Sequence, residues 1–241
     1  MSIIDFDFAL KQFPEVLKGV PLTLIIAVFS MILGITFGLL IALCRIYKVP
    51  VLHRVAIVYV SFIRGVPMIV LLFVLFYGIP ALFNLLNKQL GWSLDADGIS
   101  PIVYALIAYT LNTAAYQSEI FRASINATHA GQMEAAYSVG MTTTQGLRRI
   151  ILPQALVLSL PNLGNTFIGL IKATSLAFAV KVIEIMGMAK IIANDGYKYL
   201  EMYLVAALIY WLLCFVFEVL FAMLERRMRR YEARMDEGMS V

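Results

Sequence analysis

The chain has 241 residues, of which 61% are hydrophobic and only 14% are charged, and its formal net charge is +4. Soluble domains carry about 25% charged residues, so this composition excludes an ordinary soluble protein and predicts one all-helical domain embedded in a membrane. Cys44 and Cys214 lie inside apolar runs, and His53 and His129 lie in polar connectors. This spacing predicts two buried thiols rather than a disulfide, and no metal site.

Five apolar runs are long enough to cross a bilayer as helices, which takes about 20 residues each. They cover approximately residues 20–44, 55–80, 101–121, 155–180 and 200–224. An odd number of spans places the two termini on opposite sides of the membrane. Eleven lysines and arginines then lie on the side of the carboxyl terminus and six on the other side. Because cytoplasmic loops are enriched in these residues, we expect the amino terminus outside and the carboxyl terminus in the cytoplasm.

This topology divides the chain into three parts. We expect residues 1–19 to form an amphipathic extracytoplasmic segment, residues 20–225 the transmembrane domain, and residues 226–241 a basic cytoplasmic tail that binds anionic lipid headgroups. Residues 81–100 are predicted to be a turn-rich loop. Residues 184–193 are apolar enough to form a short helix on the outer surface.

Prolines interrupt two of the predicted spans. The second span is broken at residues 64–67, and the fourth contains a polar run at residues 161–166. Proline at membrane depth removes a backbone hydrogen bond and is tolerated where protein or a water-filled cavity supplies partners. Broken helices of this kind form the solute sites of transporters, and kinks that serve packing alone are the alternative. Pro153 is expected to separate the preceding connector from the fourth span.

That connector, residues 123–153, contains the spaced motif Glu134-Ala135-Ala136-x-x-x-Gly140. Glutamate and alanine favour helix, so the sequence predicts a short helix over 131–137 that ends with Gly140 in the left-handed conformation. The small alanine side chains would let a partner approach the backbone closely. An amphipathic connector lying on the membrane is the alternative, but it leaves the spacing unexplained.

The loop matches the EAA motif of the membrane subunits of ATP-binding-cassette importers, and the chain resembles their polar amino acid uptake subfamily. The likeness covers approximately residues 15–225. It is carried by the motifs Phe62-x-Arg64-Gly65-x-Pro67, Tyr116-x-x-Glu119-Ile120-x-Arg122, Gly131-Gln132-x-Glu134-Ala135-Ala136, Leu152-Pro153-Gln154-Ala155 and Lys172-x-Thr174-Ser175-Leu176. The resemblance implies the five-helix transmembrane fold of type I importers.

The resemblance also implies how the loop works and which partners the chain needs. In that family the loop is a coupling helix seated in a groove of a cytoplasmic ATPase. Carried over to this chain, the contacting residues are Gln132, Glu134, Ala135, Ala136, Gly140 and Met141. The chain contains no G-x-x-x-x-G-K-[ST] phosphate loop, so we expect it to hold no cofactor and to rely on a partner ATPase dimer for ATP. A second permease subunit, identical or a sister chain, and an extracytoplasmic solute-binding protein complete the expected assembly, with no nucleic acid.

The predicted solute site lies on the fourth span. Thr166, Gly169, Leu170 and Ala173 share one helical face, and Asn162 extends that face by one turn. In relatives that import basic amino acids, acidic residues tend to occupy the positions matching Thr166 and Ala173. A cationic solute would lack these counter-charges here, and losing one partner of a buried pair costs about 3–5 kcal/mol. We therefore expect a neutral polar amino acid, and within the family the likeness is to cystine-type importers.

Three charged residues, Arg64, Glu119 and Lys172, lie towards the interiors or ends of predicted spans, where ionisable groups are candidates for function. Arg64 is a candidate to bind the carboxylate of the solute, and Pro67, three residues later, is a further candidate for the solute site. The alternative is a structural pair between Arg64 and Glu119. Lys172 is expected to meet backbone carbonyls freed at the proline of the fourth span.

Together these features predict the translocation subunit of an ATP-driven amino acid importer in the cell membrane of a prokaryote. No nucleophile–base pair or other catalytic set is evident, so we expect no enzyme activity in this chain. An ion-coupled secondary carrier and a non-transporting membrane scaffold are the alternative functions. The carrier would need no ATPase, and the scaffold would leave uptake unchanged when Glu134 or Gly140 is substituted.

Overall fold

The computed structural model describes the backbone of residues 4–93, 95, 98–128 and 130–239. Side chains are described within these ranges up to Met228, with Ala130 left aside. The sequence-based expectations for Asp97, His129 and the side chains of the tail beyond Met228 therefore lie outside the described residues.

Helices account for nearly all of the described chain, which confirms the predicted all-helical fold. Ten α-helices follow one another, with a π-helical turn at Leu147–Ile151 and a 3₁₀ segment at Thr174–Val180 beside the eighth. The α-helices are α1 Phe6–Leu17, α2 Val20–Ile46, α3 Leu52–Gly65, α4 Met68–Leu90, α5 Pro101–Ala127, α6 Ala130–Ser138, α7 Thr143–Gly146, α8 Leu152–Ala173, α9 Ile185–Gly196 and α10 Tyr199–Met239.

The centre of the fold is a close parallel packing of α2 on α5. A Cβ built on Gly34 would lie 2.5 Å from Cγ2 of Thr113, and one built on Gly38 would lie 2.6 Å from Cβ of Gln117. Both glycines therefore sit where any larger side chain would push the helices apart. Small residues spaced by four allow backbones to approach closely in membrane helix pairs, where dispersion rather than water exclusion drives association. The Gly34-x-x-x-Gly38 pair thus sets the distance between these two helices.

Within the described residues, four helical segments are long and apolar enough to cross a membrane: Val20–Ile46, Met68–Leu90, Thr143–Val180 and Tyr199–Met228. The predicted span at 101–121, the third in chain order, corresponds to α5, which is long enough at 27 residues but less apolar. Its buried residues include polar ones such as Thr113, Gln117 and Ser118, because α5 packs against protein on several sides rather than against lipid. The count of five spans and their orientation remain predictions.

The interruption at residues 64–67 is confirmed. Helix α3 ends at Gly65, Val66 is extended with φ −96° and ψ 131°, and Pro67 precedes the first residue of α4. The residue before a proline is driven out of the helical region by the proline ring, which accounts for the break. Helix α4 then runs on to Leu90 and ends at Gly91 with φ 67°, so the loop predicted over 81–100 is shorter than expected.

The two other prolines do not break the chain as expected. Pro153 lies in the first turn of α8, where its missing N–H costs nothing, and the segment from Thr143 to Val180 is one continuous helical path. Pro161 lies within α8 without ending it. The change of helix type comes later, at the 3₁₀ segment beginning at Thr174. The expectation that Lys172 meets carbonyls at a break near Pro161 therefore loses its basis.

At the end of the fold opposite α6, helix α9 spans Ile185–Gly196, confirming a short helix near the predicted 184–193. It packs with α1 and α10 around a second apolar cluster that contains Val16, Ile185 and Met202. Glu184 caps α9 by accepting a hydrogen bond from the backbone N–H of Gly187 at 3.0 Å. The carboxylate also accepts from the hydroxyl of Tyr210. Its complete burial raises the pKa of Glu184.

Candidate functional site

The loop predicted to bind a partner has the local structure expected from its sequence. Helix α6 covers Ala130–Ser138, and Gly140 follows with φ +78°. This is the left-handed region that glycine enters without a steric penalty, so the chain turns sharply after the helix. The predicted short helix and its glycine terminator are both confirmed.

Residues of the motif divide between the surface and the interior of the loop. Gln132, Glu134, Ala135 and Gly140 are exposed, and Met141 is half-buried. Ala136 is only 1% exposed. A Cβ built on Gly146 would lie 3.3 Å from Cβ of Ala136. The small size of Ala136 thus serves packing within this chain, and its side chain is buried rather than exposed as the sequence-based interpretation of the motif expected.

Two residues that sequence reasoning missed enlarge the exposed surface of the loop. Val139 is 73% exposed and Tyr137 is 48% exposed, beside the exposed Glu134 and Ala135. Large apolar side chains at the tip of a polar loop are candidates for a protein interface. The signal was available in sequence, because Val139 directly precedes the glycine that turns the chain.

The loop is joined rigidly to α8. Thr142 begins α7 with a capping box, in which its hydroxyl accepts from the N–H of Gln145 and the Gln145 side chain accepts from the N–H of Thr142. Helix α7 continues through the π turn into α8, while Met133 of α6 packs over Gly146. A displacement of α6 is therefore transmitted to α8 through packed helix rather than through a flexible linker.

A charged cluster lies on the same side of the fold and centres on Glu119 of α5. Its carboxylate oxygens lie 2.5 Å from Nη1 of Arg45 and 2.8 Å from Nη2 of Arg122. Nη1 of Arg64 lies 3.9 Å away, and the Arg64 guanidinium stacks 5.3 Å from the ring centroid of Tyr116. One carboxylate thus holds arginines from α2, α3 and α5. The structural pairing of Arg64 with Glu119, proposed as the alternative to solute binding, is present.

The structure does not bring Arg64 together with the predicted solute residues of α8 within this chain. Arg64 contacts α5 at Glu119, whereas the carbonyl of Ala173 accepts a hydrogen bond from the hydroxyl of Tyr109 at 2.7 Å. These two points on α5 are ten residues apart, or about 15 Å along the helix. Pro67 is exposed as the residue that precedes α4. Arg64 and Ala173 therefore lie at different depths.

The residues of the predicted solute face of α8 are not all exposed. Asn162 and Gly169 are exposed, and Thr166 and Ala173 are half-buried, with the Thr166 hydroxyl donating to the carbonyl of Asn162 at 2.8 Å. Leu170 is instead buried in the main core, so we do not retain it as a solute contact. Other exposed residues of this face include Asn165 and Lys172. The face is unusually polar for a helix at membrane depth, which marks it as the candidate lining of a solute pathway.

Comparison with known proteins agrees with this arrangement. The profile of the family described as binding-protein-dependent transport system inner membrane component matches residues 34–230. The chain is 43% identical to the probable amino-acid permease protein YxeN of Bacillus subtilis strain 168 over 95% of this chain and 98% of the relative. It is also 43% identical to the L-cystine transport system permease protein TcyB of the same organism, over 97% of this chain and 95% of the relative.

A solved structure gives the same result at the level of the fold. The crystal structure of an amino acid ABC transporter with histidines has a chain that aligns with a TM-score of 0.79 and 32% identity, covering 94% of this chain and all of that one. This likeness confirms the predicted type I importer fold and the resemblance to membrane subunits of ATP-binding-cassette importers. The chain belongs to the family of binding-protein-dependent transport system inner membrane components.

Proposed function

We propose that this chain is the translocation-pathway subunit of an ATP-driven amino acid importer, and that its solute is a neutral polar amino acid such as cystine. The observation that carries the proposal is the exposed α6 loop that is packed rigidly onto α8. The exposed surface of the α6 loop needs a partner. Because the loop is packed rigidly onto α8, a movement of the loop also moves α8, the helix that presents the polar face.

The partner at the loop is a cytoplasmic ATPase dimer. The exposed Glu134, Ala135, Tyr137 and Val139 form a compact surface of mixed polarity, which suits a groove in another protein better than a lipid headgroup layer. The contacts made by Ala136 are indirect, through its packing on Gly146. This surface, which we call the coupling surface, lies in the cytoplasm if the amino terminus is outside, as the distribution of basic residues favours.

The remaining partners follow from geometry. The polar face of α8 needs a second surface to enclose a solute, and a second permease subunit, identical or a sister chain, supplies it. An extracytoplasmic solute-binding protein delivers the solute to the end of the fold that carries α9. ATP binding draws the two coupling surfaces together and opens the pathway outward, and hydrolysis reverses the change.

The nature of the solute rests on the residues of α8 and on relatives. Asn162, Thr166 and Ala173 offer hydrogen-bonding and small side chains and no carboxylate, which disfavours a cationic solute for lack of a counter-charge. The relative TcyB is named for L-cystine transport. Cystine is neutral overall and polar, so it suits these positions.

Transport by the purified complex in liposomes tests this function. The permease is reconstituted with its ATPase and solute-binding protein, and uptake of labelled L-cystine is measured with proton and sodium gradients collapsed by ionophores. We expect uptake that requires ATP on the ATPase side and persists without either gradient. Uptake that disappears with the gradients would instead favour an ion-coupled carrier, and no uptake under any energised condition would favour a scaffold.

A further inference from the structure

Two charged side chains on neighbouring helices remain without an assigned role. Lys172 of α8 and Glu218 of α10 are both exposed on the surface of this single chain. Among the residues that the structure describes, neither forms an ion pair within 4.0 Å. Both lie in segments apolar enough to cross a membrane. A charge facing hydrocarbon is strongly disfavoured, so charged groups at membrane depth face a cavity, a partner or a solute.

Glu218 lies well inside the membrane rather than at its edge. The adjacent arginines Arg226 and Arg227 mark the polar end of α10, since such residues concentrate at the membrane surface. Glu218 is eight residues from Arg226, or about 12 Å along the helix. Glu225, one residue from Arg226, lies at the edge instead. Of these two glutamates, only Glu218 therefore requires a polar partner deep in the membrane.

The packing of α8 against α10 fixes how Lys172 and Glu218 are spaced. The rings of Phe167 and Phe217 meet with centroids 4.9 Å apart, and a Cβ built on Gly164 would lie 3.0 Å from Phe221. The two helices are therefore antiparallel. In this register Lys172 is level with Leu212 and Leu213, five to six residues from Glu218, or about 8–9 Å along the axis.

The space beside Glu218 is a cavity lined by α8 residues that lie to one side of the predicted solute face. Its volume is about 190 Å³, and its lining includes Pro161, Gly164, Asn165 and Glu218. Asn165 adds an amide donor and acceptor, and Gly164 adds no side chain. The cavity thus lies between Glu218 and the side of α8 that carries Asn165, and Lys172 lies on that side of α8 two turns beyond Asn165.

We propose that Lys172 and Glu218 bind the two charged ends of a zwitterionic amino acid, Lys172 its α-carboxylate and Glu218 its α-ammonium group. The assignment rests on the proposed function and names the groups that recognise the backbone of the solute. With a charge-assisted hydrogen bond of about 2.8 Å at each end, an axial spacing of about 8–9 Å leaves room for the short ammonium-to-carboxylate span of an α-amino acid. One cation and one anion match a zwitterion, whereas they suit neither a purely cationic nor a purely anionic solute.

Direct binding to the permease–ATPase complex in lipid nanodiscs, without the solute-binding protein, tests this assignment. The probes are L-cystine, cystamine, which lacks both carboxylates, and 3,3′-dithiodipropionate, which lacks both amino groups. The wild-type complex should prefer L-cystine to both analogues. Lys172→Gln should lose its preference over cystamine, and Glu218→Gln should lose its preference over dithiodipropionate, each by about tenfold or more.

Three controls separate recognition from folding. Lys181→Gln, which removes a lysine just beyond the 3₁₀ segment, should leave both preferences unchanged. Lys172→Arg and Glu218→Asp retain the charges and should retain most of each preference. Size-exclusion chromatography shows whether each variant assembles with the ATPase, and a variant that fails to fold does not assemble.

The outcomes distinguish this assignment from its alternatives. If Lys172 and Glu218 instead form ion pairs between the two permease subunits, the Gln variants weaken assembly and shift binding of all three probes together, which overturns the proposal. Unchanged preferences in both variants would also overturn it while leaving the proposed function in place. Failure of the wild-type complex to bind any probe would overturn the proposed solute class and this assignment with it.

Discussion

Gly146 of α7 lies directly against Ala136 of α6, so that even a methyl group on Gly146 would come within 3.3 Å of the Ala136 Cβ and 2.8 Å of the Met133 sulfur. Through this contact the coupling surface and α8 form one packed unit, since α7 continues into α8 without a break. The proposed transmission of force from the ATPase to the solute pathway depends on it.

Widening this contact should uncouple transport from ATP hydrolysis. Gly146→Val adds an isopropyl group to a filled space, and such overpacking costs about 1–3 kcal/mol. We expect α6 to shift on α7, lowering uptake by about tenfold at the lower part of that range while ATP hydrolysis by the complex continues. The measurement is the ratio of solute transported to ATP hydrolysed in liposomes. Gly131→Ala is the matched control, because a Cβ there meets no described atom within 4 Å; an equal loss in both variants would contradict the account.

A second glycine prediction concerns the stability of the fold. Gly34→Val should separate α2 from α5, because the first added carbon already lies 2.5 Å from Thr113. A destabilisation of about 1–3 kcal/mol is expected, measured as a lower midpoint of thermal unfolding in detergent. Gly78→Val in α4 changes the same residue type where a Cβ meets no described atom within 4 Å, and it should unfold close to the wild-type temperature. Equal midpoints for the two variants would show that the α2–α5 distance is not set at Gly34.

The arginine cluster predicts that substituting two glutamates, each of which forms an ion pair, will lower the stability of the protein by different amounts. Glu119→Gln removes the partner of Arg45, whose side chain is only 14% exposed, and should destabilise the protein by about 1–3 kcal/mol. Glu15→Gln removes a pair with Lys18 in which both side chains are largely exposed, and the expected effect is below about 1 kcal/mol. Chemical denaturation of both variants measures which substitution lowers the free energy of unfolding more. A larger effect at Glu15 would contradict the role assigned to the cluster.

Burial of Glu184 predicts a pH dependence of stability. Because its pKa is raised in the folded protein above the ordinary value of 4.5, the unfolded chain loses this proton first as pH rises. The stability contributed by protonated Glu184 is therefore complete below pH 4.5 and is lost as pH rises through the raised pKa. Between pH 4 and pH 8, the midpoint of thermal unfolding should fall more steeply in the wild-type protein than in Glu184→Gln. Parallel curves would contradict a raised pKa.

The sequence allowed the helical loop to be predicted because its signals are local. Helix preference around Glu134 and the left-handed freedom of Gly140 act within a few residues, and the break at Pro67 follows from the geometry of proline itself. These three features were found where the sequence placed them. The likeness to importer subunits likewise rested on short motifs with fixed spacing.

The errors arose where packing between distant segments decides the outcome. Helical periodicity placed Leu170 on the same face as Thr166 and Ala173, but the way α8 packs against its neighbours in the core turns Leu170 inward. Ala136 was expected to face a partner, and only its contact with Gly146 explains its burial. Glu218 attracted no attention in sequence, because its importance depends on its depth and on the cavity beside α8.

The central claim is that the coupling surface transmits the work of a separate ATPase, and one substitution tests it most directly. Val139→Asp places a charge at the exposed apolar tip of the loop without disturbing any buried contact, and Thr144→Asp adds the same charge to an exposed position of α7 as the control. The measurement is co-purification of the ATPase together with ATP-driven uptake of L-cystine. The account predicts that Val139→Asp loses both while Thr144→Asp retains them; wild-type binding and uptake in the Val139→Asp variant would contradict it.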